Sequence, residues 1–287
     1  MASSYLLCFS TITIWFILCA KHVSSQTCWR DTPCSDIITA AFPGEWEADI
    51  FAPASRTISP ATIFDLSTGE EVGSWPTTFT LASNQSEVYL DFGKEVGSIV
   101  TLQYEVSSVN GAGAIGLAFT EAKNWVGWDS DFSNGDYSRP DGAIYGNFSS
   151  AGNYTYVMPD ENLRGGFCYM TLFLVGDAAS ATITNVNLEL SFQPTWSNLQ
   201  AYQGYFHSND DLLNQIWYSG AYTLQVDAIH PLTGRAWPLP DEAWLNTGEL
   251  GPGDTINTDG AKRDRTVWPG DMAVAIPAAF YSTDGIE

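Results

Sequence analysis

The chain changes its hydrophobic period once. Before about residue 200, apolar residues recur at every second position. Val88, Leu90 and Phe92 alternate with polar partners, as do Val100, Leu102, Tyr104 and Val106, and then Val186, Leu188, Leu190 and Phe192. Period two points one set of side chains to a core and the other to water, which is the signature of a half-buried strand. Two further apolar runs, 114–120 and 167–175, lie between them. Turn signals punctuate the runs at Thr68-Gly69, Asn110-Gly111, Asn134-Gly135, Pro140-Asp141-Gly142 and Arg164-Gly165-Gly166. Many short strands without an intervening helical pattern predict an antiparallel, all-β sandwich over residues 26–200.

Residues 193–204 read as a connector, and the period then becomes helical. Ser208, Asp210 and Asp211 supply a cap and early carboxylates, which suit the positive end of a helix. Leu212, Leu213, Ile216, Trp217, Gly220, Ala221, Leu224 and Ala228 follow at steps of three and four, and His230-Pro231 ends the run. A second helix is predicted from Gly270-Asp271 through residues 272–281, interrupted by Pro277. Between the helices, residues 232–268 form a long loop rich in Trp, Pro and Gly, including Trp237, Pro240 and Trp244. Loops of that length in a compact domain are usually functional or mobile.

Before the strands comes a leader. The apolar stretch from Leu6 to Leu18, the polar pair Lys21-His22 and the small residues Val23-Ser24-Ser25 mark residues 1–25 as a secretory signal. Its run is shorter than the roughly 20 residues a membrane span requires, so the mature protein is predicted to be secreted, with no membrane attachment. Cys8 and Cys19 leave with the leader. Cys28 and Cys34 would close a small loop as a disulfide, and Cys168 is left as an inert thiol in apolar surroundings. Asn84, Asn147 and Asn153 head N-x-Ser/Thr sequons and are candidate glycosylation sites. A formal net charge of −22 excludes nucleic acid and anionic membrane as partners.

Charge is sparse in this chain, at 15% of residues, yet D-G-A-K-R-D-R-T-V-W-P-G-D-M at 259–272 packs in Asp259, Lys262, Arg263, Asp264, Arg265 and Asp271. Such a cluster at a loop-to-helix junction admits two readings: a surface salt-bridge network, or carboxylates converging on a ligand. Carboxylates suit sugar chemistry, because one can protonate a leaving glycosidic oxygen while others accept hydrogen bonds from hydroxyls. An Asp that serves as an acid at mildly acidic pH must have its pKa raised by about 1–2, a cost of roughly 1.5–3 kcal/mol. Neighbouring carboxylates and burial push that way, and cations pointing at it push back.

The motif resembles the acid-bearing segment of glycoside hydrolase family 78, the α-L-rhamnosidases. L-D-F-G-K-E-V-G (90–97), G-L-A-F-T-E-A-K-N-W (116–125), L-R-G-G-F (163–167) and I-W-Y-S-G-A-Y-T-L-Q (216–225) are also similar to family stretches. The resemblance implies a β-sandwich followed by an (α/α)6 barrel, with residues 201–287 as the start of the barrel. It implies Asp264 as general acid, Asp259 and Asp271 as holders of the rhamnose hydroxyls, Trp268 as an apolar wall and Arg263 as a positioning cation. Many family members carry Glu where Asp264 stands, one methylene longer. Cys168 likewise occupies a strand position where the family pattern suggests Arg.

The implied reaction is inverting hydrolysis of terminal α-L-rhamnosides in a rhamnose-containing glycoside or polysaccharide, with no cofactor and no metal. Inversion needs a base about 6.5–9.5 Å from the acid. The family carries it on a later hairpin, and twelve helices need roughly 200 residues. The sequence reading therefore expects a truncated enzyme with the first helical hairpin only, a half-site, no turnover alone, and bare apolar faces at Ile216, Trp217, Val274, Ile276 and Phe280. A non-catalytic carbohydrate-binding sandwich competes. Its loop at 124–137 offers Trp125, Trp128 and Tyr137 as stacking faces and Asp129, Asp131 and Asp136 as acceptors, although a polar loop with packed aromatics has the same composition. The loop lacks the Gly and Glu spacing of an EF-hand, so no such metal site is predicted.

Overall fold

The alternating runs fold into one curled antiparallel sheet. The computed structural model describes residues 27–36, 38–82, 86–133, 140–176, 179–239 and 243–283. The leader with Cys8 and Cys19, Asn84, and Asn134 through Tyr137 lie outside the described residues. In chain order the strands are β1 (Thr57–Ile58), β2 (Thr62–Asp65), β3 (Glu71–Ser74), β4 (Phe79–Ala82), β5 (Val88–Ser108), β6 (Gly113–Thr120), β7 (Ile144–Phe148), β8 (Gly152–Val157), β9 (Arg164–Val175) and β10 (Ser180–Leu190). Their path runs β1-β10-β5-β9-β6-β7, with β2 and β8 also on β5, β3 on β2 and β4 on β10.

β5 is the spine of the sheet. The runs at 88–92 and 100–106, read from the sequence as separate strands, are one strand of 21 residues. Its first part pairs with β2 and β9, and its second part pairs with β10 and β8. Between the parts the register to β9 shifts twice, and Gly93 takes φ +73° there. Such irregularities bend a strand and increase its twist, and it is here that β5 changes neighbours within the one sheet. The alternation has its expected consequence: Leu102, Tyr104 and Val106 are buried while Gln103 and Glu105 face out.

A second difference lies in L-R-G-G-F. The Arg164-Gly165-Gly166 stretch is not a turn but the start of β9. Its glycines serve close approach instead. A Cβ on Gly165 would fall well inside contact distance of the Ala261 carbonyl, and one on Gly166 would meet the Glu95 carboxylate. Strand glycines often mark such places.

The helices are α1 (Asp211–Val226) and α2 (Pro269–Phe280). Asp210 caps α1, its carboxylate accepting from the Leu212 and Leu213 N–H groups at 3.0 and 3.3 Å. α1 stops at Val226 because Ala228–Ile229 (β11) pairs with Ile256–Asn257 (β12). The face it buries is not the apolar one. Asn214, Tyr218, Ala221, Tyr222, Gln225 and Val226 point inward, whereas Leu212, Leu213 and Ile216 are exposed. Tyr222 donates to the Glu95 carbonyl at 2.7 Å, and Gln225 accepts from Tyr202 at 3.0 Å. α2 runs on through Pro277 to Phe280, with Val274 at 73% exposure and Ile276 and Phe280 also open. Trp217 alone of the expected bare residues is half-covered, against Phe206 and Tyr218. One buried cluster runs from Leu90, Val100 and Leu188 in the sheet to Tyr218, Tyr222 and Trp244.

Cys28 and Cys34 are bonded, at 2.06 Å. Asn147 and Asn153 are exposed on β7 and β8.

Candidate active site

The motif at 259–272 is a clasped loop. Asp259 and Thr266 close its base: the Asp259 N–H donates to the Thr266 carbonyl at 3.0 Å, and the Thr266 N–H donates to the Asp259 carboxylate at 2.9 Å. At the far end the Arg265 N–H reaches the Arg263 carbonyl at 2.7 Å, so Asp264 is the middle of a γ-turn with φ +57°. A side-chain-bearing residue rarely adopts that conformation, and strain of this kind persists only where the surroundings enforce it. Arg265, also left-handed at φ +47°, supplies the enforcement. Its guanidinium is fully buried beneath the loop and donates to the carbonyls of Thr233 and Ala261 and to the Thr233 hydroxyl.

The three cations of the motif go three ways. Arg265 goes into the core. Lys262 reaches across to the sandwich, 3.1 Å from both Glu121 and Asp131. Arg263 stays beside Asp264, at 3.5 Å. Two arginines from elsewhere complete the seam. Buried Arg235 donates to the carbonyls of Ser133 and Lys262 at 2.9 and 2.8 Å. Buried Arg164 pairs with Asp131 at 2.5 Å and Asp141 at 2.6 Å, and its guanidinium lies 4.5 Å from the Trp244 ring centroid. Gly165 lets the Ala261 backbone settle onto β9, which places the loop against the sheet.

Above this seam opens a cleft of about 1080 Å³. One wall is Asp259, Gly260, Lys262, Arg263 and Asp271, and the other is the sandwich loop from Glu121 to Phe132. Of the residues the resemblance implicates, Asp259, Arg263 and Asp271 therefore meet at one cleft. Asp264 and Trp268 are not among its lining residues; Trp268 is half exposed as the cap residue of α2. Burial raises the Asp259 carboxyl above the usual aspartate range, and the charges of Asp264 and Asp271 push it further up. Burial and the Arg164 charge lower the Arg235 guanidinium to about 10, a shift that the charges of Asp141 and Asp264 partly offset.

Sequence reasoning missed the carboxyls under the cleft. Glu95 is raised well above the usual range, first by burial, then by the charge of Glu121 and a hydrogen bond with it, while Lys262 pulls it down. Asp227 is pushed up to about 7 by burial. Glu95 and Glu121 lie within two of the family-like stretches, 90–97 and 116–125, but only the fold brings those stretches together. Cys168 is half-buried, and burial followed by the charge of Glu95 raises its thiol to about 12, so it is protonated at neutral pH. Among the described residues, no three His, Cys, Asp or Glu side chains are grouped to hold a metal.

No protein-family profile matches the chain, and no curated protein matches it in sequence. Its structure, however, superposes on a Klebsiella oxytoca rhamnosidase solved with rhamnose bound, at TM-score 0.50 and 14% identity, over 83% of this chain and 43% of that one. It likewise superposes on the GH78 family rhamnosidase of Bacillus sp. GL1, at TM-score 0.50 and 18% identity, over 73% of this chain and 18% of that one. The chain shares the fold of these rhamnosidases over that stretch. It spans less than half the length of either. An overlap with a family 32 carbohydrate-binding module, at TM-score 0.25, is too slight to argue from.

Proposed function

We propose that the cleft is part of a glycoside-hydrolysing site of the α-L-rhamnosidase kind. Asp259 and Asp271 grip the hydroxyls of a terminal rhamnose and Arg263 positions the site; by the resemblance alone, Trp268 shields it and Asp264, beside the cleft lining, protonates the leaving oxygen. The observation that carries this reading is the meeting of Asp259, Arg263 and Asp271 at one cleft wall. The Thr266 N–H holds the Asp259 carboxylate in place at the cleft wall, where it can accept from a sugar hydroxyl. A γ-turn held by a buried arginine fixes Asp264 with little freedom, which an acid needs if it is to meet a leaving group in one orientation.

The base belongs, by the resemblance, to a later helical hairpin than α2. A polypeptide of these 287 residues is therefore expected to bind rhamnose without turning over 4-nitrophenyl α-L-rhamnoside. Calorimetry with L-rhamnose tests the reading: saturable binding that Asp259→Asn weakens at least tenfold supports it, and binding untouched by that change removes it. Turnover of the nitrophenyl glycoside, abolished by Asp264→Asn, would place the base within the chain. The exposed tryptophans of the sandwich loop favour the second reading, a binding module without chemistry, in which rhamnose binding depends on Trp125 and survives Asp259→Asn. The protein is proposed to be secreted, with residues 1–25 removed and glycans on the exposed Asn147 and Asn153 and on Asn84.

A further inference from the structure

The cleft wall facing the aspartates belongs to the sandwich and carries two open indoles. Trp125 is 74% exposed and Trp128 51%. Leaving large apolar faces in water forgoes burial that would stabilise the fold. Here the loop beneath them is pinned rather than loose. The Glu121 N–H donates to the Asp131 carboxylate, the Asp131 N–H to the Phe119 carbonyl and the Phe119 N–H to the Ser130 hydroxyl, each at 3.0 Å. Trp125 closes a single 3-10 turn onto the Ala122 carbonyl, also at 3.0 Å. Trp128 lies parallel to Phe173 at 4.7 Å, which fixes the plane of its ring. Through Lys262, bonded to both Glu121 and Asp131, this wall is tied directly to the loop that bears Asp259. The two walls are therefore held at a set separation.

The cleft also has a sign. Glu121, Asp129, Asp131, Asp259 and Asp271 line it, against Lys262 and Arg263. A surplus of carboxylates repels anionic ligands, and indole faces attract flat uncharged ones, either an aryl ring or the C–H face of a sugar. We propose that the sandwich wall is the leaving-group platform of the site. Trp125 and Trp128 stack an uncharged group to which rhamnose is joined, and the surrounding carboxylates disfavour neighbours that carry a uronic acid. The sandwich thereby sets specificity on the far side of the scissile bond. This inference rests on the rhamnoside reading for the identity of the gripped sugar, but not for the platform itself.

The test uses the whole chain and four probes followed by calorimetry: methyl α-L-rhamnoside, 4-nitrophenyl α-L-rhamnoside, 4-nitrophenyl β-D-glucoside and a rhamnosyl-galacturonate disaccharide. The nitrophenyl rhamnoside is expected to bind about tenfold tighter than the methyl rhamnoside. Trp125→Ala, at an exposed position, should erase that gain and leave the methyl rhamnoside unchanged, while Trp125→Phe restores most of it. The disaccharide should bind more weakly than the methyl rhamnoside at low salt, with the gap narrowing as salt is added. If methyl rhamnoside binds but the aryl group adds nothing, or Trp125→Ala weakens both alike, the platform is overturned and the rhamnose reading stands. If the nitrophenyl glucoside binds as tightly as the rhamnoside and depends on Trp125, the platform stands and the rhamnose reading falls. No binding by any probe overturns both.

Discussion

The two sides of residues 205–283 invert the usual arrangement of a soluble protein. The side that packs on the sheet is built from charges and polar rings: Arg265, Arg235, Lys262, Gln225, Tyr218 and Tyr222, meeting Arg164, Asp131, Asp141, Glu121 and Glu95. The side that faces away is apolar, with Leu212, Leu213, Ile216, Val274, Ile276 and Phe280 in solvent. The inward contacts must be polar because they carry the backbone of an irregular loop, and a buried loop needs a partner for every carbonyl. Arginine meets that need, with five donors in a fixed fork. The outward stripe makes no such demands, and within the described residues nothing covers it.

The contrast can be broken or sharpened by measurement, and the largest effect is expected at the seam. Arg164→Met removes the buried guanidinium that Asp141 and Asp131 share, and loss of one partner of a buried pair typically costs about 3–5 kcal/mol. Urea unfolding should show that loss, and a change under 1 kcal/mol would mean that the seam is ornamental. Gly165→Ala, which drives a methyl group into the Ala261 carbonyl, should cost about 1–3 kcal/mol. It should also weaken rhamnose binding by displacing the clasped loop.

A pH effect comes next. Asp227 and Glu95 both have carboxyls raised above their unfolded values, so the folded protein holds protons that the unfolded chain releases. The stability these two carboxyls contribute is then fully present below the ordinary carboxylate range and is lost as pH rises toward about 7, where Asp227 ionises. Glu95→Gln should flatten that decline, and an unchanged slope would remove Glu95 from the account. The smallest effect is on the outward face. Ile216→Gln and Val274→Gln should change stability by no more than about 0.5 kcal/mol, as at other exposed sites. A larger loss would mean that the stripe is covered in solution.

What the sequence made legible follows the same division. Period two located β5, as two runs, and β10, because in a sheet with one wet face the pattern and the burial are the same fact; the short strands β1 to β4 carry too few residues to show a period. The helical period found α1 and α2 and left Ile216 bare, as expected, but apolar spacing could not register that Tyr222 and Gln225 do the inward packing. Arg164-Gly165-Gly166 reads as a turn by composition, and its use as a landing strip for residue 261 depends on a contact about a hundred positions away. The charged motif announced Asp259, Arg263 and Asp271, which do meet. It did not announce where its cations point, because Lys262 and Arg265 are separated by two residues yet end on different partners. Asp131 and the open indoles were visible only as one polar, aromatic loop, and it took the folded sheet to set that loop, with Glu121 before it, across from the aspartates.

β5 joins the two ends of the sheet as well as filling its middle. Because a single 21-residue strand is paired to β2 and β9 at one end and to β10 and β8 at the other, neither set of neighbours can melt away without exposing hydrogen bonds of the strand that holds the other. Amide exchange along it should therefore slow to one common, global rate, and a protease should find no surviving half-sandwich.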